Sequence, residues 1–314
     1  MRGVDSVKKV LIVGSGVMGS SIAQVFAAAD IEVALIDVDE KALARAMGLI
    51  EAGLQTLADA GVVAGASIPS IVSRVAPSTD LRGSARDVDF IIEAIPEIPE
   101  LKKKVFSQLG DFCGKEAVIA SNTSALDVFS LAEIQAPERL VIAHFFAPAY
   151  IIPLVEIVPG PKTSPETVSF ASALMSRVGK SPVVMKRFGP GFIVNRLQKA
   201  IGEAALAMIE EGLAEPEEID RAVKYSLGIR LPVVGVVQTF DFQGLDMLLD
   251  TMKNYGKVYA FVEDKVAKRH LGAKTAIGIY DYQGRSEIEI LKKRDLLYLK
   301  MLDHLEKIDA FEPV

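Results

Sequence analysis

A single cysteine, Cys113, stands in a chain of 314 residues. One thiol cannot build a disulfide framework, and such sparing use fits a reducing compartment. Histidine is almost as scarce, with three in the chain, and no Cys/His cluster has the spacing of a zinc site. No run of about eighteen uncharged apolar residues occurs, which excludes an obvious membrane span. The first residues lack the charged start, apolar stretch and cleavage pattern of a signal peptide, so the expected location is the cytoplasm. Basic residues number 35 against 41 acidic ones, a net charge of −6. That balance argues against a general nucleic-acid surface. One absence is local: no lysine or arginine occurs from Ala46 to Ser73. There is no internal repeat and no low-complexity tract.

Half of the residues are hydrophobic, enough for a sizeable core, and the length allows one large domain or two ordinary ones. Lys8 to Val13 reads as a buried strand running into Gly14-Ser15-Gly16-Val17-Met18-Gly19. A helix follows over Ser20 to Ala29, and the apolar run Glu32 to Ile36 ends at Asp37. Strand, GxGxxG, helix, strand and acid in this order are what dinucleotide binding requires. Gly14 permits the tight turn, Gly16 lets the backbone approach a pyrophosphate, and Gly19 lets helix and strand pack closely. The amides at the helix start, including those of Val17 and Met18, face the phosphates with the positive end of the helix dipole. Asp37 lies 23 residues after Gly14, near the spacing of the acid that binds a ribose 2′-hydroxyl. An acid there repels a 2′-phosphate, so NAD is expected rather than NADP.

Further strands are expected at Asp89 to Ala94, Val118 to Ala120, Leu140 to Phe146, Leu154 to Val158 and Pro182 to Met185. Helices are expected over Lys41 to Ala60, Pro69 to Arg74 and Ala125 to Leu131. The fold class is α/β: a Rossmann-type, doubly wound, mainly parallel sheet followed by an all-α C-terminal domain. Gly189-Pro190-Gly191 marks the boundary, giving a dinucleotide-binding domain over 1–187 and a helical domain over 188–314. In such sheets ligands bind beyond the carboxyl ends of the strands. Polar residues collect there: Glu93, Asn122 with Ser124, and His144. Asn122 to Ser124 also suits turn and N-cap chemistry. Glu156 follows His144 by twelve residues, with two prolines between, so adjacent β-runs rather than one element would join them. A His–Glu pair is a general acid/base unit; the plainer alternative is a core histidine and a solvated strand end. A long helix from Phe192 to Glu211 and another over Glu217 to Leu227 are rich in apolar residues, and a homodimer is expected through them. Asn195 is either a helix-start amide or a side chain facing the cleft between the domains. Ser286 to Val314 reads as a final helix docked through a stripe of Leu291, Leu296, Leu299, Leu302 and Leu305. His270 and His304 read as surface residues.

These residues together resemble the L-3-hydroxyacyl-CoA dehydrogenase family, which includes 3-hydroxybutyryl-CoA dehydrogenases and the L-gulonate 3-dehydrogenase (lambda-crystallin) and L-carnitine dehydrogenase branches. The likeness spans nearly the whole chain. It rests on the glycine loop with Asp37, Ile92 to Glu97, Ser121 to Ser124, His144-Phe145-Phe146, Leu154-Val155-Glu156, Pro190 to Arg196, Gly244-Leu245-Asp246 and Gly278 to Tyr282. The resemblance implies that His144 takes the hydroxyl proton as hydride leaves the same carbon, with Glu156 orienting it. Ser124 and Asn195 would hold the substrate oxygens. Glu93 and Lys102 would contact the cofactor or shape its pocket. Three departures stand out: Ala147 where the family has asparagine in HFFNP, Ala125 where it has a second serine, and no basic residue over Ala46 to Ser73 where it offers cations to coenzyme A. The implied activity is NAD-dependent oxidation of an L-3-hydroxyacyl-CoA. The alternatives are a dehydrogenase of a free 3-hydroxy acid such as L-gulonate or carnitine, and an NAD(H)-binding structural protein without turnover.

Overall fold

The computed structural model describes residues 3–312. The chain forms two compact units, Met1–Ala200 and Ile201–Val314. The first holds eight strands: β1 Lys9–Val13, β2 Glu32–Ile36, β3 Val75–Ser78, β4 Phe90–Glu93, β5 Val118–Ser121, β6 Leu140–Phe145, β7 Leu154–Pro159 and β8 Ser181–Val184. They make one sheet in the order 3-2-1-4-5-6-7-8. Every pairing is parallel except β6 with β7, which is antiparallel. The winding reverses between β1 and β4, and a crevice at the carboxyl ends of these strands follows from that reversal.

Its helices are α1 Val17–Ala28, α2 Glu40–Asp59, α3 Ile68–Ser73, α4 Leu81–Ser84, α5 Pro99–Phe112, α6 Val128–Leu131 and α7 Pro165–Arg177. A parallel sheet covered on both faces needs strands that are apolar throughout, and Val10-Leu11-Ile12-Val13 is such a run. Val10 and Ile12 join one core with Ile22 and Phe26 of α1, Ile50 of α2 and Leu174 of α7. Leu11 and Val13 join the other with Phe106 and Leu109 of α5. Local caps set where helices start. Asp39 accepts the N–H of Lys41 at the head of α2, and Ser164 accepts that of Thr167 at the head of α7.

Two elements depart from expectation. Val75-Ala76-Pro77-Ser78 forms β3, although proline normally interrupts a strand. β3 lies at the edge of the sheet and pairs only with β2, so the missing N–H costs the ladder nothing on its open side. The helix expected from Ala125 shrinks to α6, because Asp127 caps it by accepting the amides of Phe129 and Ser130.

Helix α8, Val194–Glu210, begins in the first unit and ends in the second. The second unit continues with α9 Pro216–Ala222, a π-helical stretch Val223–Leu227, α10 Gly228–Gln243, α11 Leu245–Asn254, α12 Ala260–Ala267 and α13 Glu287–Lys307. Helix α10 is broken at Gly235, whose φ is 65°. Buried Asp241 organises the segment that returns from α12. It accepts the N–H groups of Ile279 and Tyr280 and the hydroxyl of Tyr282. Gly272 and Gly278 sit so close to Asp241 that a Cβ on either would fall 2.2 or 2.3 Å from it. Helix α13 opens with a capping box between Ser286 and Glu289. Its leucine stripe is not fully docked: only Ile290 of the helix is buried, and Leu296 and Leu299 are exposed. His304 is exposed, but His270 is half-buried, and its Nδ1 has no partner among the described residues.

Asp241→Ala would strand two half-buried amides and the buried phenol of Tyr282. The expected loss is about 3 kcal/mol or more in unfolding free energy, measured by urea denaturation.

Candidate active site

The loop after β1 is shaped by two close approaches. Gly14 has a φ of +100°, and a Cβ there would lie 2.6 Å from the Ala94 carbonyl. A Cβ on Gly19 would lie 1.7 Å from the Gly14 carbonyl oxygen. Around Gly16 nothing lies within 4 Å of the corresponding point, so the backbone is open to a ligand. Gly16 also caps α1 without a side chain, which leaves the first amides of the helix for an anion. Val17 stands exposed on the lip and Met18 is half-buried behind it. Asp37 braces the loop from the end of β2: one carboxylate oxygen accepts the Ser15 amide and hydroxyl, both at 2.8 Å, and the other accepts the Val38 amide at 2.8 Å. Partial burial opposes its ionisation, but these hydrogen bonds from Ser15, Asp39 and Val38 outweigh it and hold the carboxyl below its ordinary value. An anion fixed beside an open glycine backbone fits a dinucleotide.

At the ends of β4 and β5 a buried ionic network forms. Glu93 has no exposed surface and Lys102 is 1% exposed. Lys102 Nζ donates to Glu93 Oε1 at 2.6 Å, and Ser121 Oγ donates to Oε2 at 2.6 Å. The charges of Glu93 and Lys102 are therefore spent on each other, and the pair stiffens the strand ends beside the glycine loop. Glu97 continues the network by accepting the Thr123 hydroxyl and the Ser124 amide. Asn122 Oδ1 accepts the Phe145 amide at 2.8 Å, tying the end of β5 to that of β6. None of Asn122, Thr123 or Ser124 caps a helix.

His144 and Glu156 are directly opposed across the antiparallel β6–β7 pair. His144 Nδ1 lies 2.9 Å from Glu156 Oε2, and both side chains are buried. Burial opposes ionisation of Glu156, but the hydrogen bond from His144 and those from the Val194 and Ile193 amides prevail, and its carboxyl lies below the ordinary value. An ionised Glu156 places the proton on Nδ1 and leaves Nε2 as the lone-pair nitrogen. Nε2 has no partner among the described residues. The imidazole is held edge-on by Phe146, with centroids 4.5 Å apart, and by Phe192 at 5.3 Å. Ser124 is exposed, and its hydroxyl has no partner among the described residues. Asn195 Nδ2 donates to the Ser124 carbonyl at 3.3 Å. The structure thus brings His144, Glu156, Ser124 and Asn195 together within the first compact unit.

Three contributors are given no role by the sequence, although the Pro190 to Arg196 run holds two of them. Phe192 looks like any core phenylalanine until its ring is seen against His144. The Ile193 and Val194 amides act through the backbone, which composition does not reveal. Lys180 donates to the carbonyls of Ala149 and Ile152 and so holds the loop joining β6 to β7. Burial pushes its ammonium below the usual lysine value. Only its position after Gly179, at the head of β8, hints that it turns inward.

Hydride transfer needs a dinucleotide seat and a base at one sheet edge, and this edge carries both; the class is an NAD-dependent α/β oxidoreductase. The chain belongs to the 3-hydroxyacyl-CoA dehydrogenase family. Residues 9–188 match its NAD binding domain, and residues 191–282 match its C-terminal domain. The chain is 34% identical to a 3-hydroxybutyryl-CoA dehydrogenase of Clostridioides difficile, over 87% of this chain and 99% of that one. It is 32% identical to an L-carnitine dehydrogenase of Bacillus cereus, over 97% and 94% of the respective chains. A solved 3-hydroxyacyl-CoA dehydrogenase from Archaeoglobus fulgidus superposes with a TM-score of 0.80 at 30% identity, covering 95% of this chain and 99% of that chain.

Because the folded carboxyl of Glu156 lies below its unfolded value of 4.5, it adds stability above pH 4.5 that is lost as pH falls through the lower folded value. The thermal midpoint of Glu156→Gln should be below that of the wild type at pH 7. The gap should narrow as the pH is taken down from 4.5. A gap that stays constant across that window would refute the assignment.

Proposed function

We propose that the chain oxidises the hydroxyl of an L-3-hydroxyacyl-CoA to the 3-oxo compound, reversibly, with NAD as the hydride acceptor. The observation that carries this reading is the 2.9 Å His144–Glu156 pair, with Nε2 left open. When bound, NAD supplies the acceptor for the hydride. His144 Nε2 takes the hydroxyl proton, and Glu156 holds the ring in the tautomer that can do so and stabilises the imidazolium. Ser124 Oγ and the Asn195 side chain hold the substrate oxygens and place the reacting carbon. The cofactor seat is assigned to Gly14, Gly16, Val17, Met18, Gly19, Asp37 and Asn122, with Glu93 and Lys102 shaping its floor. The Rossmann-type domain is assigned to 1–187 and the helical substrate domain to 188–314. The single cysteine supports a cytoplasmic setting, and the acyl-CoA reading places the activity in fatty acid metabolism. Among the described residues no helix is long and apolar enough to cross a membrane.

A free 3-hydroxy acid, such as L-gulonate or carnitine, is the second reading, and one observation favours it. The groove between α2 and α3 has a volume of 760 Å³ and is lined by Gly48, Glu51, Gln55 and Ser73 among others, with no lysine or arginine. A phosphorylated carrier gains nothing from such a wall. We also assign a homodimer. Helix α8 has no buried residue, and Leu197, Ile201, Leu206 and Ile209 are all exposed. A helix with its apolar residues uncovered gains most of its stability from packing, and a second copy supplies the matching apolar surface.

NADH should be consumed with acetoacetyl-CoA, and His144→Ala should lower kcat by about a thousandfold or more while NADH binding, read from the fluorescence of the bound nicotinamide, stays as in the wild type. No turnover with short or long 3-oxoacyl-CoA thioesters, together with NAD reduction by a free hydroxy acid, would move the assignment to the second reading. Light scattering should give twice the chain mass, and Leu206→Glu with Ile209→Glu should halve it.

A further inference from the structure

The two carboxylate oxygens of Glu156 serve different partners. Oε2 meets His144 Nδ1. Oε1 accepts the N–H of Ile193 at 2.9 Å and that of Val194 at 3.0 Å. These amides lead into α8, where the first N–H groups have no partner within the helix. Gly191 and Phe192 both adopt positive φ, 73° and 48°, and that backbone turns the two N–H groups toward the carboxylate. For phenylalanine such a φ is unfavourable by about 1 kcal/mol or more and persists only where the surroundings hold it. They do: the Phe192 ring is buried between His144, at 5.3 Å, and Phe188, at 6.0 Å. The residue after Val194 is Asn195, whose amide reaches the Ser124 carbonyl.

We infer that Glu156 is a two-sided positioning residue: its ionised carboxylate caps α8 and thereby places Asn195, while its other oxygen orients His144. Base and substrate-holding amide are then set by one charge. The consequence for Asn195 rests on the role proposed above for that residue; the cap itself does not. A negative charge at a helix start is favourable in its own right. A neutral isostere cannot serve both sides. If the amide group of glutamine at 156 faces Ile193 and Val194, donor meets donor. If it faces His144, Nδ1 must become the acceptor, and Nε2 then carries the proton and cannot act as base.

Amide hydrogen exchange on the full-length protein tests the cap without reference to activity. The Ile193 and Val194 amides should be protected in the wild type and in His144→Ala, because Oε1 keeps its partners. In Glu156→Ala, which removes the acceptor on both sides, they should exchange about tenfold faster or more. Unchanged exchange in Glu156→Ala, or equal acceleration in His144→Ala, would overturn the cap. In steady-state kinetics Glu156→Ala should raise KM as well as lower kcat. Asn195→Ala should cost about tenfold less in the Glu156→Ala background than in the wild type. Fully additive losses, with KM unmoved, would mean that Glu156 serves His144 alone. A wild type that turns over none of the candidate substrates would defeat the proposed function, and the exchange measurement would still decide the cap.

Discussion

Glu156 is an ion with no exposed surface, and much of the first unit is arranged around satisfying it. A buried carboxylate is tolerated only when its lone pairs are met by donors. Three donors are supplied here by parts of the chain far apart in sequence: the imidazole of His144, opposite it on β6, and two amides at the head of α8. The antiparallel β6–β7 register sets the first, and the positive φ values at Gly191 and Phe192 set the others. One carboxylate thus joins β6, β7 and the head of α8.

The same logic recurs three strands away, on β4. Glu93 and Lys102 form an ion pair with almost no solvent contact, and Ser121 completes the coordination of the acid. Such a pair adds little net stability compared with apolar packing, but it leaves few alternative conformations for the ends of β4 and β5. Those ends, with Asn122 tied to Phe145, define the floor beside the glycine loop. The row of strand ends is made rigid by buried polar contacts, and His144 Nε2 and the Ser124 hydroxyl have no partner among the described residues.

The nucleotide half was legible because its signals are local. A glycine that a Cβ would push against a backbone carbonyl, an apolar strand on either side and an acid at the next strand end all lie within a few dozen residues. Strand β3 was missed because Pro77 reads as a breaker, and only its place at the sheet edge makes the proline harmless. The start of α6 was misplaced because Asp127, rather than the Asn122–Ser124 turn, caps it. Periodicity shows that α13 has an apolar face and not what covers it, so its stripe reads as docked although Leu296 and Leu299 are exposed.

The sequence by itself determined the class of reaction: the glycine loop, the acid at 37 and the His–Glu spacing are local patterns whose chemistry follows from residue type. It also determined where the cations for a phosphorylated carrier are absent. Only the tertiary structure decided that Lys102 is turned inward rather than offered to a ligand, that Phe192 walls the imidazole, and that the second oxygen of Glu156 belongs to α8. The reason is physical. Side-chain identity fixes what a group can donate or accept, whereas burial and backbone direction decide whom it meets, and both are properties of the packed sheet rather than of any stretch of the chain.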